Sequence, residues 1–76
     1  MKIYDAVVSE KEMCSWHDSC GRIAAEYCYA YPPDIPIIVP GEMIRKEIIE
    51  EVDIMIRSGL TVVGIEHGMF KVVKED

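Results

Sequence analysis

The sequence predicts a small α+β domain, in which a mixed sheet of short strands is covered on one face by one main helix. The chain has 76 residues, which is enough for a single domain over residues 1–76 with a modest core. Apolar residues recur at helical spacing between residues 43 and 58. Short β-branched runs lie on both sides of that segment and are separated by glycine and proline, which is typical of an α+β arrangement.

The composition restricts the classes of function. Half of the residues are apolar, which favours a folded core with some apolar surface left for a partner. The formal net charge is −6 and the chain has no basic patch, so we expect no nucleic-acid partner. No apolar run has the length of a membrane-spanning helix and the N-terminus lacks a signal-peptide pattern, so we expect a cytoplasmic protein without a membrane partner. The three cysteines lack the spacing of a disulfide scaffold and are expected to be reduced thiols.

The first third of the chain gives the weakest local signals. Residues 2–8 contain isoleucine, tyrosine and two valines, and are expected to form a strand. Residues 9–20 are expected to form a loop with one or two helical turns that end near Gly21. Between residues 22 and 29 the side chains alternate with a period of two, which predicts a strand with unlike faces.

The second half of the chain is more regular. Residues 43–58 place isoleucine, valine and methionine on one stripe and charged residues opposite, which predicts a helix that ends at Gly59. Residues 60–65 and 69–74 are rich in β-branched residues and are predicted to be two strands. The three residues 66–68 between them end in a glycine, which predicts a C-terminal β-hairpin.

A proline-rich stretch, residues 21–42, connects these two halves. All four prolines lie between residues 32 and 40, and Pro36 interrupts an otherwise β-branched run from residue 35 to 39. Because proline has no backbone N–H, that run is expected to be an edge strand or an extended segment. The bonds Tyr31-Pro32 and Pro32-Pro33 are candidates for cis peptides. The fixed φ angles predict a loop of rigid shape, and such loops often line a site.

The same stretch carries an ordered set of short motifs. These are Gly21-Arg22-Ile23, Ala25-Glu26, Tyr31-Pro32-Pro33, Ile35-Pro36 and Pro40-Gly41-Glu42. Together they closely resemble the signature of the C-terminal domain of the bacterial Orn/Lys/Arg decarboxylases, which are pyridoxal-phosphate enzymes that act on basic amino acids. A weaker likeness continues to Gly64. The family usually has glycine where this chain has Asp34, which puts in doubt a close approach of a ligand or backbone at that position.

The resemblance implies a piece of a decarboxylase. A pyridoxal-phosphate enzyme needs a Schiff-base lysine, an acid at the pyridinium nitrogen and a phosphate cradle. None of the five lysines of this chain lies in the Ser-x-His-Lys setting of the family's large domain, and no glycine-rich phosphate loop is present. The resemblance therefore implies that pyridoxal phosphate is held by a catalytic partner domain or chain. It also implies that the present domain packs on that partner and helps to wall the substrate entrance.

The motifs supply eight candidate residues for that entrance or interface. They are Arg22, Glu26, Tyr31, Pro32, Pro33, Asp34, Pro36 and Glu42. Glu26 either attracts a cationic substrate tail, or is a solvated strand residue, or is a partner for Arg22. Arg22 either binds a carboxylate across an interface or, as we favour, fixes the loop by bonding to backbone carbonyls. Glu42 is interpreted as the beginning of the main helix and Asp34 as the centre of an Asx-type turn.

Several other residues have a functional and a structural interpretation. Tyr27, Tyr29 and Tyr31 have the spacing of one strand face, where a core or interface role is favoured over stacking on a ligand. Trp16 either packs in the core or anchors a partner. Cys14, His17 and Cys20 have C-x-x-H-x-x-C spacing, but a structural zinc needs a fourth ligand, either Cys28 or His67. Ordinary thiols and a surface imidazole are favoured, so no metal ligand is predicted.

These observations leave two main hypotheses. The first is a detached or separately encoded C-terminal domain of an ornithine, lysine or arginine decarboxylase, without catalytic residues of its own. The alternative is an independent binding or regulatory module, derived from that domain, which self-associates into a homo-oligomer. A small zinc protein is a third and more distant hypothesis.

Overall fold

The computed structural model describes residues 1–75 and contains two helices and five strands in two sheets. In chain order the elements are α1 Ile3–Val8, β1 Lys11–Ser15, a 3-10 turn Trp16–Asp18, β2 Cys28–Tyr31, β3 Ile35–Ile38, α2 Lys46–Arg57, β4 Thr61–Val63 and β5 Met69–Val73. The predicted α+β class with one main helix is confirmed. Among residues 1–75, no helix has the length and apolar character needed to cross a membrane.

The strands form two antiparallel sheets instead of one mixed sheet. β1 pairs with β5, and β2 lies between β3 and β4. β3, which contains Pro36, is an edge strand as predicted. Each sheet therefore joins segments that are distant in the sequence, which local patterns of hydrophobicity do not report.

The turn of the predicted C-terminal hairpin is present, but the two strands beside it do not pair with each other. His67 and Gly68 have φ angles of 52° and 76°, and Glu66 and Met69 exchange backbone hydrogen bonds of 2.9 and 2.8 Å. Positive φ at both central residues is the requirement of a type I′ turn. The strands before and after the turn nevertheless pair in different sheets, since β4 bonds to β2 and β5 bonds to β1. The chain changes direction at Gly64, whose φ is 111° and whose backbone lies against the carbonyl of Tyr27.

The first segment is a helix, so the prediction of a strand over residues 2–8 is wrong. The amide of Ala6 donates to the carbonyl of Lys2 and the amide of Ser9 donates to that of Asp5. Only Ala6 of this helix is buried. The β-preference of isoleucine and valine depends on packing against a neighbouring strand, and α1 has none. The strand that does form, β1, lies within residues 9–20, where a loop with one or two helical turns was expected. Three of its five residues are polar, so its composition does not indicate a strand.

The main core lies between α2 and the sheets. Trp16 and Phe70 pack edge-to-face with ring centroids 5.3 Å apart and are 2% and 0% exposed. Ile48, Ile49 and Val52 are the buried residues of α2, as the helical stripe predicted. A second, smaller cluster beneath α1 contains Ala6, Ala25 and Val73, with Ile23 packed against it.

The main helix is shorter than predicted. It begins at Lys46 instead of residue 43, because the preceding residues are extended and paired with the start of the proline-rich stretch. Met43 forms a β-bridge with Ile23, and the amide of Ile44 donates to the carbonyl of Arg22 over 2.9 Å. This pairing ties the two ends of the proline-rich stretch to each other.

Candidate functional site

The proline-rich stretch forms an exposed strand–turn–strand unit. β2 and β3 are joined by Pro32, Pro33 and Asp34, which we call the proline turn. The bonds Tyr31-Pro32 and Pro32-Pro33 are both cis. All three residues of the turn are exposed, and so is Pro36 on the edge strand. The unit therefore presents a surface with few rotatable side chains.

Three tyrosines line the outer face beside the proline turn. Cys28 and Ala30 of β2 are buried, whereas Tyr29 and Tyr31 are 40% and 41% exposed. Tyr27, just before the strand, is 51% exposed. The rings of Tyr29 and Tyr31 are tilted with centroids 6.4 Å apart. We call these three side chains the tyrosine ridge, and their exposure leaves them available to a partner surface.

Two open grooves meet at the tyrosine ridge, because Tyr27 and Tyr29 line both. The first has a volume of about 640 Å³ and is lined by Met13, Glu26, Tyr27, Tyr29, Val63, Gly64, Glu66 and Lys71. The second has a volume of about 510 Å³ and is lined by Tyr27, Cys28, Tyr29, Asp34, Pro36, Ile38 and Val39. The structure thus brings the candidates Glu26, Asp34 and Pro36 to neighbouring grooves.

Glu26 is half-buried at the edge of the first groove. Its Oε1 accepts a hydrogen bond of 2.9 Å from the amide of Tyr27, and its Oε2 lies 4.0 Å from Nζ of Lys71. The expected pairing with Arg22 is wrong, since the basic partner comes from β5. At that distance, and with both side chains 43% exposed, the ion pair is loose and leaves the carboxylate accessible to another cation.

Arg22 is engaged at the other sheet and lies outside the grooves. Its guanidinium lies 3.2 Å from Glu12 Oε1 and 3.1 Å from Glu75 Oε1, and it donates to the carbonyl of Val73 over 3.3 Å. Desolvation by burial lowers the pKa of Arg22, but the hydrogen bond to Glu12 and the charges of Glu75 and Glu12 outweigh it, so the pKa is raised. The bond to Val73 goes to a backbone carbonyl, as favoured, but that carbonyl belongs to β5 and not to the proline turn that Arg22 was expected to fix. The carboxylates that Arg22 binds belong to its own chain.

Glu42 closes a turn and does not begin the helix. Its carboxylate accepts a hydrogen bond of 3.0 Å from the amide of Val39, and its own amide donates to the carbonyl of Val39 over 3.2 Å. α2 begins only at Lys46. The prediction for Glu42 is therefore wrong, because the residues between Gly41 and the helix form the bridge to Ile23 instead.

Asp34 occupies its turn without a left-handed backbone. Within residues 1–75, His67 is the only non-glycine residue with positive φ. The glycine that usually stands at position 34 in the resembling family is therefore not required for the path of the chain here. The exposed carboxylate of Asp34 adds a negative charge beside Pro36 in the second groove.

Comparison with known proteins assigns the fold to a family. The family pattern described as "Orn/Lys/Arg decarboxylase, C-terminal domain" matches residues 2–71. The chain belongs to this family. It is 39% identical over 70 residues to an arginine decarboxylase of Halalkalibacterium halodurans, covering 92% of this chain and 14% of the relative. It is also 39% identical over 74 residues to an arginine decarboxylase of Bacillus subtilis, covering 93% of this chain and 15% of the relative.

Solved structures agree on the fold. The constitutive lysine decarboxylase of E. coli superposes with a TM-score of 0.78 at 24% identity, over 97% of this chain and 13% of that protein. The lysine decarboxylase of Francisella novicida superposes with a TM-score of 0.76 at 22% identity, over 95% of this chain and 13% of that protein. This decarboxylase-type domain therefore spans about one seventh of the length of the relatives that it matches.

The residues of this domain do not fit pyridoxal phosphate. A Schiff-base lysine is activated in an enclosed pocket beside further cofactor-binding groups. Four of the lysines are exposed, namely Lys2, Lys11, Lys46 and Lys74. The fifth, Lys71, is half-buried and pairs loosely with Glu26 in an open groove.

The cysteine and histidine residues of the domain lie in ordinary protein environments. His17 pairs with Asp53 of α2, with Nε2 3.1 Å from Oδ1, while Cys20 is exposed. Within residues 1–75, no group of three or more histidine, cysteine or acidic side chains is placed to hold a metal ion. Cys28 lies in the core, and its burial raises the pKa of the thiol to about 11. Trp16 packs in the core, so its interpretation as a partner anchor is wrong.

Sequence reasoning missed five residues of the first groove, namely Met13, Val63, Gly64, Glu66 and Lys71. Met13, Glu66 and Lys71 come from β1, from the turn after β4 and from β5. Only the pairing of β1 with β5 and of β2 with β4 brings them beside Glu26. No local pattern in the sequence carries that information, because the pairing is set by the whole core.

Proposed function

We propose that this chain is the non-catalytic C-terminal domain of a pyridoxal-phosphate-dependent ornithine, lysine or arginine decarboxylase. It packs on the catalytic part, as a detached or separately encoded domain, and shapes the substrate entrance. The match of residues 2–71 to the C-terminal domain of that family supports the first half of this proposal. The observation that carries the second half is the exposure of the proline turn and the tyrosine ridge as one rigid surface.

The chemistry of this surface suits an entrance for basic amino acids. Glu26 and Glu66 line the first groove and Asp34 lines the second, against the single cation Lys71. The chain as a whole has a formal net charge of −6. Negative charge around a cleft raises the local concentration of a cationic substrate and its rate of association. The tyrosine rings add faces on which ammonium or guanidinium groups are attracted.

The proline turn supplies a fixed wall. Proline limits φ, and the pairing of β2 with β3 holds both ends of the turn. A wall that does not rearrange keeps the entrance at one width and shape. In this proposal pyridoxal phosphate supplies the electron sink for decarboxylation from the catalytic part, while this chain only guides and orients the substrate.

The proposal is tested by identifying and assaying the partner. The tagged protein is purified from its own cells, and co-purifying chains are identified by mass spectrometry and by the absorbance of pyridoxal phosphate. We expect a decarboxylase chain that carries the cofactor. With this complex, Asp34→Lys should raise KM for the basic substrate several-fold and change kcat little, because it places a like charge at the entrance.

A charge-matched control makes this experiment specific. Glu51→Lys changes the same charge on the exposed face of α2 and should leave KM within a factor of two. An equal rise of KM in both variants would show a general effect of net charge and contradict the role of the proline turn. Absence of any decarboxylase chain in the purified material would contradict the proposal as a whole.

The alternative of a self-associating module has one observation in its favour. Among residues 1–75, twelve large apolar side chains are exposed, including those of the tyrosine ridge, Met13 and Met43. An apolar surface of this extent is expected to be covered by something. Sedimentation of the purified protein distinguishes the two functions, because a self-associating module forms a homo-oligomer alone, whereas a decarboxylase domain needs the other chain.

A further inference from the structure

We infer that α1 is a docking element whose exposed apolar face is covered by an apolar surface of the catalytic part of the decarboxylase. This face consists of Ile3, Tyr4, Val7 and Val8, and we call it the α1 face. The inference rests on the proposed function and deepens it. It assigns the packing contact to one element, separate from the proline turn at the entrance.

The composition of α1 does not suit a helix at a water interface. Five of its six residues are apolar, and Asp5 is its only charged residue. The side chains of the α1 face are 46%, 74%, 48% and 62% exposed in chain order. A helix that is apolar on all sides is normally buried in a larger assembly. α2, with six charged residues among twelve, shows the pattern that a solvent-facing helix of this protein has.

Few buried side chains hold α1 in place. Ala6 is its only buried residue and packs in the small cluster with Ala25 and Val73. A helix of six residues is too short to be stable by itself in water. The chain thus forms a short helix and directs its large side chains outward, which is expected where a partner completes the packing.

The position of α1 connects it to the proline-rich stretch. The backbone of Gly41, whose φ is 97°, lies directly against the backbone of Met1 and Lys2. Met43, two residues further, is 56% exposed and bridges to Ile23, which packs on the cluster beneath α1. The residues just before α1 therefore lie against the end of the proline-rich stretch.

The relatives indicate the occupant of this surface. They are about seven times as long as this chain, and the region matched is their C-terminal domain. Most of the polypeptide of such an enzyme therefore precedes the matched region, and α1 lies at the N-terminal end of that region. The α1 face carries no charge, so its complement is an apolar protein surface and not the charged substrate.

The test compares two double variants in the complex with the catalytic chain. Tyr4→Ser with Val8→Ser removes apolar area from the α1 face. Ile54→Ser with Ile56→Ser removes a similar area from α2, where these residues are 55% and 50% exposed. Anchoring side chains at an interface cost on the order of tenfold in affinity each when truncated. We expect the α1 variant to weaken the measured Kd at least tenfold, and the α2 variant to change it less than twofold.

Two further measurements separate binding from folding. The α1 double variant alone should keep its circular dichroism spectrum and its midpoint of thermal unfolding within a few degrees, since exposed substitutions change stability little. Tyr4→Phe, which keeps the ring, should retain the affinity of the unchanged protein. Loss of affinity in Tyr4→Phe equal to that in the double variant would contradict apolar packing.

The outcomes distinguish this inference from the proposed function. If the unchanged protein binds the catalytic chain and the α1 variant binds equally well, the inference is wrong and the proposed function stands. If both double variants weaken binding equally, the inference is also wrong. If the unchanged protein does not bind at all, the proposed function fails. A homo-oligomer that dissociates in the α1 variant would identify a second copy as the occupant and overturn the inference.

Discussion

The two helices of this protein differ in how their apolar residues are used. α2 has three residues in the main core, Ile48, Ile49 and Val52, and charged residues toward the solvent. α1 buries one alanine and exposes four large apolar side chains. α2 packs on the main core along one side, whereas α1 contributes a single buried residue to the small cluster. α2 thus stabilises this domain, whereas the exposed side chains of α1 are available to another polypeptide.

The largest effect is expected in the buried face of α2. Ile49→Ala should reduce the free energy of unfolding by about 2–4 kcal/mol, through lost burial and the cavity that remains. Ile54→Ala in the same helix removes the same atoms from a residue that is 55% exposed, and should cost less than about 1 kcal/mol. Urea unfolding followed by circular dichroism measures both. Equal losses would contradict the division of α2 into a packed and a solvent-facing side.

A smaller effect is expected where α1 meets the rest of the chain. Gly41→Ala introduces a Cβ that would collide with the carbonyl of Met1, at a φ of 97° that disfavours alanine. We expect a cost of about 2–3 kcal/mol, since strained backbone alone costs on the order of 1–3 kcal/mol. Gly59→Ala, at a φ of 93° with open space around it, should cost less.

Hydrogen exchange of the backbone amides then shows which helix is destabilised by Gly41→Ala. Amides of α1 should lose protection at Ala6 and Ser9, whereas those of α2 keep theirs. Equal loss of protection in both helices would show that α1 is as firmly integrated as α2, and would remove the contrast between them.

The third effect is a dependence on alkaline pH in the core that α2 covers. Burial raises the pKa of Cys28 to about 11, whereas an unfolded thiol titrates near ~8.5. The folded state therefore holds this proton more tightly. Its contribution to stability is complete below pH ~8.5 and is lost as the pH rises toward the folded value of about 11.

The measurement is the urea midpoint between pH 8 and pH 11 for the unchanged protein and for Cys28→Ala. The unchanged protein should lose more stability over this interval than the variant, in which the titrating thiol is missing. Identical slopes would mean that the thiol is accessible to hydroxide, and hence that the core opens beneath α2 more readily than its burial indicates.

Prediction from the sequence was most successful where one face of an element is buried within the chain. The period of α2 and the edge position forced on β3 by Pro36 were both predicted correctly, because each follows from a local pattern or a missing N–H group. The turn at His67 and Gly68 was also predicted. The length of α2 was overestimated, since Met43 and Ile44 have apolar side chains but pair with the extended backbone near Ile23.

Prediction failed where the outcome depends on distant partners. The residues of α1 have β-preference but lack a strand to pair with, and those of β1 are polar but pair with β5. The partner of Glu26 is Lys71, which no spacing in the sequence indicates. The shared position of Glu26, Asp34 and the tyrosine ridge was only partly predictable, because the grooves are formed by both sheets.

The pairing of β1 with β5 also sets the order in which the molecule can assemble during its synthesis. Phe70 and Val72 are fully buried, and the ring that packs on Trp16 belongs to Phe70. A ribosome extends a chain by ~5–20 residues per second, so Trp16 leaves it several seconds before Phe70. During that interval the N-terminal strand and the indole have no native partner. The core can close only after Val73 has left the exit tunnel. Folding of the domain is therefore completed only when β5 is free to pair with β1.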